Sequence, residues 1–225
     1  MSLGDLPDLD RYRHLCESSP ANPKLLETIY NCEFLGFIDS EHRRVGCFLH
    51  PLSWGGADRR GDSFYGAELC AEHLCPSFMC LTPVEQQAVL AALDDWYLYG
   101  IVITDIDLVK EFLREAQARL GESLRPDRLG DFRVRAALRD FFRLKESWKF
   151  ASRKGRLGKY FFTPSEYQIA RIEYERNWGM KPSRFDKILV SLSSEFGSRE
   201  ELEEAESIIE ARIHELIEAY QSGRS

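Results

Sequence analysis

Apolar and polar positions follow two different rhythms on either side of the Leu81-Thr82-Pro83 junction. Downstream, apolar residues recur at spacings of three and four, the pattern of helices that bury one face. Polar residues punctuate that pattern. Thr82-Pro-Val-Glu85, Thr163-Pro-Ser-Glu166 and Ser198-Arg-Glu-Glu201 each place a hydroxyl three residues ahead of a glutamate, the capping-box spacing that satisfies orphan amide hydrogens at a helix start. Thr104-Asp-Ile-Asp107 and Ser183-Arg-Phe-Asp186 are versions of it with aspartate. Helices are expected near 83–98, 105–119, 130–148, 164–177, 183–194 and 199–221. In the last of these, Leu202, Ala205, Ile208, Ile209, Ile213, Leu216, Ile217 and Tyr220 form an apolar stripe with acids around it, and such a stripe also offers a homodimer a surface.

Upstream the helical rhythm disappears. Pro20, Pro23, Pro51 and Pro76, with glycines at 36, 46, 55, 56, 61 and 66, interrupt the chain too often for long helices. One regular piece stands out: Glu33-Phe-Leu-Gly-Phe-Ile38, then a polar stretch, then Arg44-Val-Gly-Cys-Phe-Leu49, which predicts a β-hairpin. Cys32 opens the first strand and Cys47 lies in the second. Side chains alternate along a strand, so a four-residue turn sets these two thiols on one face and a five-residue turn on opposite faces. The expected architecture is mainly α: an irregular cysteine-rich segment over 1–81 with a small hairpin, then a helical domain over 82–225 built as a bundle of about six helices.

Composition adds limits. At 225 residues, 44% hydrophobic and 30% charged, the chain matches an ordinary globular protein and carries no low-complexity signature. The acidic beginning Met-Ser-Leu-Gly-Asp-Leu-Pro-Asp-Leu-Asp lacks the basic and apolar regions of a secretory signal. No apolar run approaches the length of a bilayer crossing. A cytoplasmic location, without membrane contact, is the expectation. The net charge of −7 conceals a basic block: residues 121–190 hold 17 Lys+Arg against 9 Asp+Glu, whereas 1–120 hold 10 against 19 and 191–225 hold 3 against 9. Such a block meets either a polyanion or acids elsewhere in its own chain.

The cysteines carry the most chemistry. Cys32, Cys47, Cys70, Cys75 and Cys80 all fall between residues 32 and 80, with Cys16 upstream and His50 and His73 interleaved. In a reducing compartment such a gathering points first to zinc or an iron-sulfur cluster, whose ligands converge best from loops and hairpins. The alternatives are a set of small buried hydrophobes, since free cysteine is among the most buried residue types, and redox or disulfide use. In Gly66-Ala-Glu-Leu-Cys70-Ala-Glu-His73-Leu-Cys75-Pro76 a short helical turn ending at the proline sets Cys70 and His73 on one side. The spacing Cys-x4-Cys-x4-Cys is neither a zinc-ribbon pair nor a bacterial ferredoxin run.

Cys32-Glu-Phe-Leu, followed by Gly46-Cys47-Phe-Leu-His50-Pro51 and the closely spaced Cys70 and Cys75, resembles the second half of the pattern of YkgJ-type cysteine-cluster proteins, a family of zinc- or iron-chelating domains. The adjacent-cysteine signature that opens that family's motif is missing, and only Cys16 stands ahead of Cys32. The resemblance implies metal ligation by Cys32, Cys47, Cys70 and Cys75. Cys16, Cys80, His50 and His73 stand in reserve, imidazole being zinc's other common donor; the plainer roles of the two histidines are to end a strand before Pro51 and to face solvent.

Two further patterns invite a role. Trp148-Lys-Phe-Ala-Ser-Arg-Lys-Gly-Arg-Leu-Gly-Lys-Tyr-Phe-Phe162 mixes cations with aromatics, as single-stranded nucleic-acid sites do; Lys149, Arg153, Lys154, Arg156, Lys159 and Tyr160 are the candidates. The plain alternative is a basic interhelix loop anchored by its aromatics. Asp94-Asp95 and Asp105 with Asp107 offer carboxylates, although the second pair is explained by capping and the helix dipole. No Ser-His-Asp, Cys-His or HExxH pattern is visible, so the sequence leaves open whether the chain is an enzyme. The functional expectation is a cysteine-ligated zinc or iron-sulfur site of mainly structural or binding role. The alternatives are an iron-sulfur redox enzyme and a nucleic-acid-associated regulator using the basic block over 125–187.

Overall fold

The fold is taken from a computed structural model, which describes residues 35–37, 45–47, 49–51, 56–62, 79–152, 156–157, 159–162 and 167–222. The chain divides into two compact units, Met1–Leu74 and Cys75–Ser225.

In the first unit, strands β1 (Leu35–Phe37) and β2 (Val45–Cys47) pair antiparallel, with Leu35 opposite Cys47, Gly36 opposite Gly46 and Phe37 opposite Val45. Of the two registers open to the hairpin, the pairing of Leu35 with Cys47 is the one that a five-residue turn would give. The chain then reverses: the His50 N–H donates to the Cys47 carbonyl at 3.1 Å. A short 3-10 turn, Arg60–Asp62, follows.

The second unit is mainly helical. Helix α1 (Pro83–Ala92) opens with the expected capping box: the Thr82 hydroxyl accepts from the Glu85 N–H, and the Glu85 carboxylate accepts from the Thr82 N–H. The helix expected near 83–98 stops earlier, and α2 (Trp96–Ile103) starts afresh. Two interactions make the break. Asp95 turns its carboxylate onto the Leu98 N–H at 2.7 Å, and the guanidinium groups of Arg135 and Arg139 cover the carbonyls of Ala91 and Ala92 at 2.8 Å. Orphan groups at both helix ends are thereby satisfied.

Helix α3 (Ile106–Leu120) is capped by Asp105 rather than by Thr104, whose hydroxyl donates back to the Gly100 carbonyl. Its C-terminus closes on Gly121 in the left-handed conformation that glycine adopts without strain. The span expected to be helical over 130–148 is helix α4 (Phe132–Phe142) and a single turn, α5 (Leu144–Ser147). Phe112 of α3 stacks on Phe141 of α4 with centroids 3.5 Å apart, and Phe142 meets both rings edge-on. All three are fully buried.

The largest departure lies between 156 and 178. Instead of a helix near 164–177, strands β3 (Arg156–Leu157), β4 (Tyr160–Phe162) and β5 (Tyr167–Ile169) form an antiparallel meander, and only α6 (Tyr174–Trp178) is helical. Leu157 pairs with Tyr160 and Phe162 with Tyr167. The sequence 163–166, read as a capping box, joins two paired strands and lies outside the described residues. Aromatic residues suit strands better than helices, and cross-strand partners were present in sequence on both sides of it.

Helix α7 (Asp186–Ser191) packs on α3, and the long α8 (Arg199–Ser222) packs on α3 and α4. The stripe Leu202, Ala205, Ile209, Ile213, Leu216 and Tyr220 is buried within the chain's own core. A second copy would have to dock on other residues of that helix. Tyr220 is locked from both ends: its hydroxyl accepts from the Arg125 N–H at 3.1 Å, and Arg128 donates to its carbonyl at 2.7 Å while lying over the ring. No helix among the described residues is long and apolar enough to cross a membrane.

Candidate functional site

Of the four cysteines implied as ligands, Cys47 is described. It closes β2, half-buried, opposite Leu35. Cys32, Cys70 and Cys75, with the reserves Cys16 and His73, lie outside the described residues. The observed register has a consequence for them. Regular alternation continued back from Leu35 sets position 32 on the face opposite Cys47, so both thiolates reach one metal only if the chain between 32 and 35 departs from a regular strand. Among the reserves, Cys80 is an exposed thiol just ahead of α1, and His50 is half-buried in the turn that follows β2. Among the described residues no group of three or more His, Cys, Asp or Glu side chains gathers at a metal-sized site.

Around that turn the backbone is tied down. Arg59 N–H donates to the Leu49 carbonyl at 3.1 Å, and Gly56 N–H to the Pro51 carbonyl at 2.9 Å. Asp58 accepts from the guanidinium of Arg60 at 2.5 and 2.9 Å. This side-chain hydrogen bond, the Arg60 N–H and the charges of Arg60 and His50 hold its carboxyl down at about 2.

In the second unit two of the nucleic-acid candidates are engaged internally. Lys149 pairs with Glu204 of α8 and lies over the Phe150 ring. Lys159, at the β3–β4 connection, pairs with Asp107 of α3 at 2.5 Å. Tyr160 begins β4, half-buried, and Arg156 lies in β3. Arg153 and Lys154 lie outside the described residues. Four further cations of the basic block meet carboxylates: Arg125 meets Asp127, Lys145 meets Asp105, Arg184 meets Glu210 and Lys187 meets Glu111, whereas Arg128, Arg133, Arg135 and Arg139 donate to backbone carbonyls or a serine hydroxyl.

These pairs join into a ribbon along α3, where Asp107, Glu111 and Glu115 recur every four residues on one face. Glu111 accepts from Lys187 at 2.7 Å and from Arg114 at 2.6 Å; Arg114 also reaches Glu115, and Arg119 reaches Glu210 of α8. Burial alone pushes the Glu111 carboxyl up, yet the hydrogen bonds from Lys187 and Arg114 and their charges outweigh it and leave it below the ordinary value. For Glu210 the hydrogen bond from Arg119 is the main cause of the same shift, and the charges of Arg119 and Arg184 add to it. Lys187 is raised, chiefly by its hydrogen bond to Glu111.

A depressed carboxylate stabilises the fold fully above its unfolded pKa, near ~4.3, and that contribution disappears as pH falls through the native value. A raised lysine contributes below ~10.4 and is lost as pH climbs through its native value. Urea midpoints are therefore expected to fall off below about pH 4–5 and to fall less steeply in a Glu210→Gln variant. Parallel curves for the two proteins would show that the ribbon carries no such linkage.

The most enclosed polar cluster escaped the sequence. The Lys145 ammonium and the Asp105 carboxylate, 9% and 8% exposed, meet at 2.5 Å. Asp105 also accepts from the Ser191 hydroxyl at 2.9 Å and the Leu108 N–H at 3.2 Å, and Lys145 donates to the Ser191 carbonyl at 3.1 Å. Asp105 is legible in the sequence as a cap. The overlooked signal was Lys145 itself, which falls at helical spacing between Phe141 and Trp148, on a face otherwise apolar. The cluster ties α3, α5 and α7 together, and every polar atom in it is directed at another member or at backbone, an arrangement suited to holding structure. Asp95 caps α2, which leaves the Asp94-Asp95 pair without convergence.

Comparison with family models, with curated proteins and with solved structures finds no match to this chain.

Proposed function

We propose that the chain is a metal-binding protein whose N-terminal cysteines, Cys32, Cys47, Cys70 and Cys75, hold zinc or an iron-sulfur cluster in a mainly structural or binding role. The observation that carries this is the placement of Cys47. It ends a strand, half-buried, where the chain leaves the hairpin in a hydrogen-bonded turn, and hairpin ends are where thiolates can be brought together around a metal. The segment that holds the cysteines is rich in proline and glycine, and metal binding supplies folding free energy to segments of that kind. The pairing of Lys145, Lys149, Lys159, Arg184 and Lys187 with the chain's own carboxylates favours this over a nucleic-acid-associated regulator, because cations already hydrogen-bonded to carboxylates must break those bonds to neutralise phosphate. An iron-sulfur redox enzyme is the variant of the proposal in which one cluster position is open.

Elemental analysis of the full chain purified without air tests it. Stoichiometric zinc in a colourless sample, or iron with visible thiolate-to-iron absorption, is expected, with loss of metal in Cys47→Ser. A reduced sample holding neither zinc nor iron, with all six cysteines titratable, sinks the proposal.

A further inference from the structure

Helix α4 has two unlike faces. Val134, Ala137, Leu138, Phe141 and Phe142 are buried on one. At about 3.6 residues per turn, Phe132, Arg135, Ala136, Arg139 and Arg143 fall on the other, the last of them as the C-cap, still in right-handed helical conformation. Phe132 is 72% exposed, Arg135, Ala136 and Arg143 are exposed, and Arg139 is half-buried. The outer face is therefore a row of guanidinium groups one turn apart with an aromatic ring at its start.

These arginines differ from the lysines of the basic block. Lys145, Lys149, Lys159 and Lys187 each meet a carboxylate, whereas among the described residues Arg135, Arg139 and Arg143 meet none. Arg135 and Arg139 donate through Nε alone, to the carbonyls of Ala91 and Ala92 at 2.8 Å. That bond orients each guanidinium, and its Nη groups stay without an acceptor among the described residues. Two N–H groups side by side are the fork that grips a carboxylate or a phosphate in parallel bonds, and groups held in place beforehand lose less freedom when a partner arrives.

A phosphate backbone and an acidic polypeptide both match such a row, and the surroundings favour the polypeptide. A nucleic-acid strand is held along a basic track, and here the continuation past Arg143 is closed by the internal pairs of Lys145, Lys149 and Lys159. From Arg135 to Arg143 the row is ~12 Å long, enough for a short acidic segment. The net charge of −7 also opposes a long polyanion. Arginine and exposed aromatic rings are the residues that protein interfaces concentrate, while lysine is depleted there.

We propose that the outer face of α4 docks an acidic segment of a partner protein, with its carboxylates on Arg135, Arg139 and Arg143 and an apolar side chain against Phe132. The proposal stands on the second unit alone and does not depend on the metal-binding reading.

The test uses the full chain and fluorescence anisotropy of a labelled peptide of repeated Glu-Glu-Leu units, with a single-stranded oligonucleotide of equal charge as the rival probe. The peptide is expected to bind at low salt, to bind more tightly than the oligonucleotide, and to weaken as salt rises. Arg143→Glu should lower its affinity by roughly tenfold or more and Phe132→Ser several-fold. Lys181→Glu, the same charge change at an exposed lysine elsewhere, should leave it nearly unchanged. Arg143→Gln, which removes the charge without reversing it, keeps the test decisive if the glutamate variant folds poorly. No peptide binding at low salt overturns the proposal. So does an oligonucleotide that binds as tightly as the peptide, an effect of Arg143→Glu no larger than that of Lys181→Glu, or a Phe132→Ser protein with unaltered affinity.

Discussion

Replacing Lys145 by methionine is expected to destabilise the protein by about 3–5 kcal/mol, because it strands the Asp105 carboxylate in a site where it has lost its only counter-charge of the described cluster. Methionine keeps most of the side chain's length and apolar contact, so the loss reads the charge rather than a cavity. Asp105→Asn in the same chain should recover part of the loss, since asparagine still caps α3 and no charge remains to be buried. Lys149→Met serves as the comparison. Its pair with Glu204 lies on the surface, where such pairs contribute ~0–1 kcal/mol. Urea unfolding followed by tryptophan fluorescence measures all four proteins, Trp148 being buried with its indole N–H on Ser194. A Lys145→Met loss no larger than that of Lys149→Met would mean that the pair does not hold α3, α5 and α7 together.

Phe141→Ala is expected to cost about 3–5 kcal/mol, the transfer term plus the cavity left beside Phe112 and Phe142. The stacked contact with Phe112 is a pairwise term of ~0.5–1.5 kcal/mol. Phe112→Ala and Phe141→Ala should therefore add to more than the double variant costs. Phe132, in the same helix but 72% exposed, is the control, and its alanine variant should change the urea midpoint little. Strictly additive losses at 112 and 141 would show that the two rings do not interact.

Much of the helical unit was legible because its signals are local. Thr82 and Glu85 form their capping box, α3 and α8 lie within a residue or two of where their periodicity placed them, and the α8 stripe is the buried face. The misses share one cause. Helix 83–98 breaks because Arg135 and Arg139, more than forty residues away, reach the carbonyls at the break. Strand replaces helix at 167–169 because Tyr160 and Phe162 line up against Ile169 and Tyr167. Neither partner is visible in a window centred on the segment itself. Lys145 escaped for the same reason, since its position on an apolar face is local but its partner Asp105 lies forty residues upstream.

At the cysteines the division is sharper. Residue types and their density were enough to propose zinc or iron-sulfur chemistry, with Cys47 among the proposed ligands and His50 in reserve. The hairpin pattern was enough to pose two registers. Choosing the five-residue turn required the pairing of Leu35 with Cys47, because strand alternation is a property of each strand alone and register is a property of two. The sequence by itself determined the mainly helical character of the second unit, the starts of α1, α3 and α8 and the charge blocks, all of which depend on neighbours within about one or two helical turns. Only the tertiary structure decided that Lys145, Lys149, Lys159, Arg184 and Lys187 of the basic block pair with acids elsewhere in the chain, and which register the hairpin takes. Ion pairs and strand registers are made by distance in space, and sequence spacing constrains that distance only across a turn or two of chain.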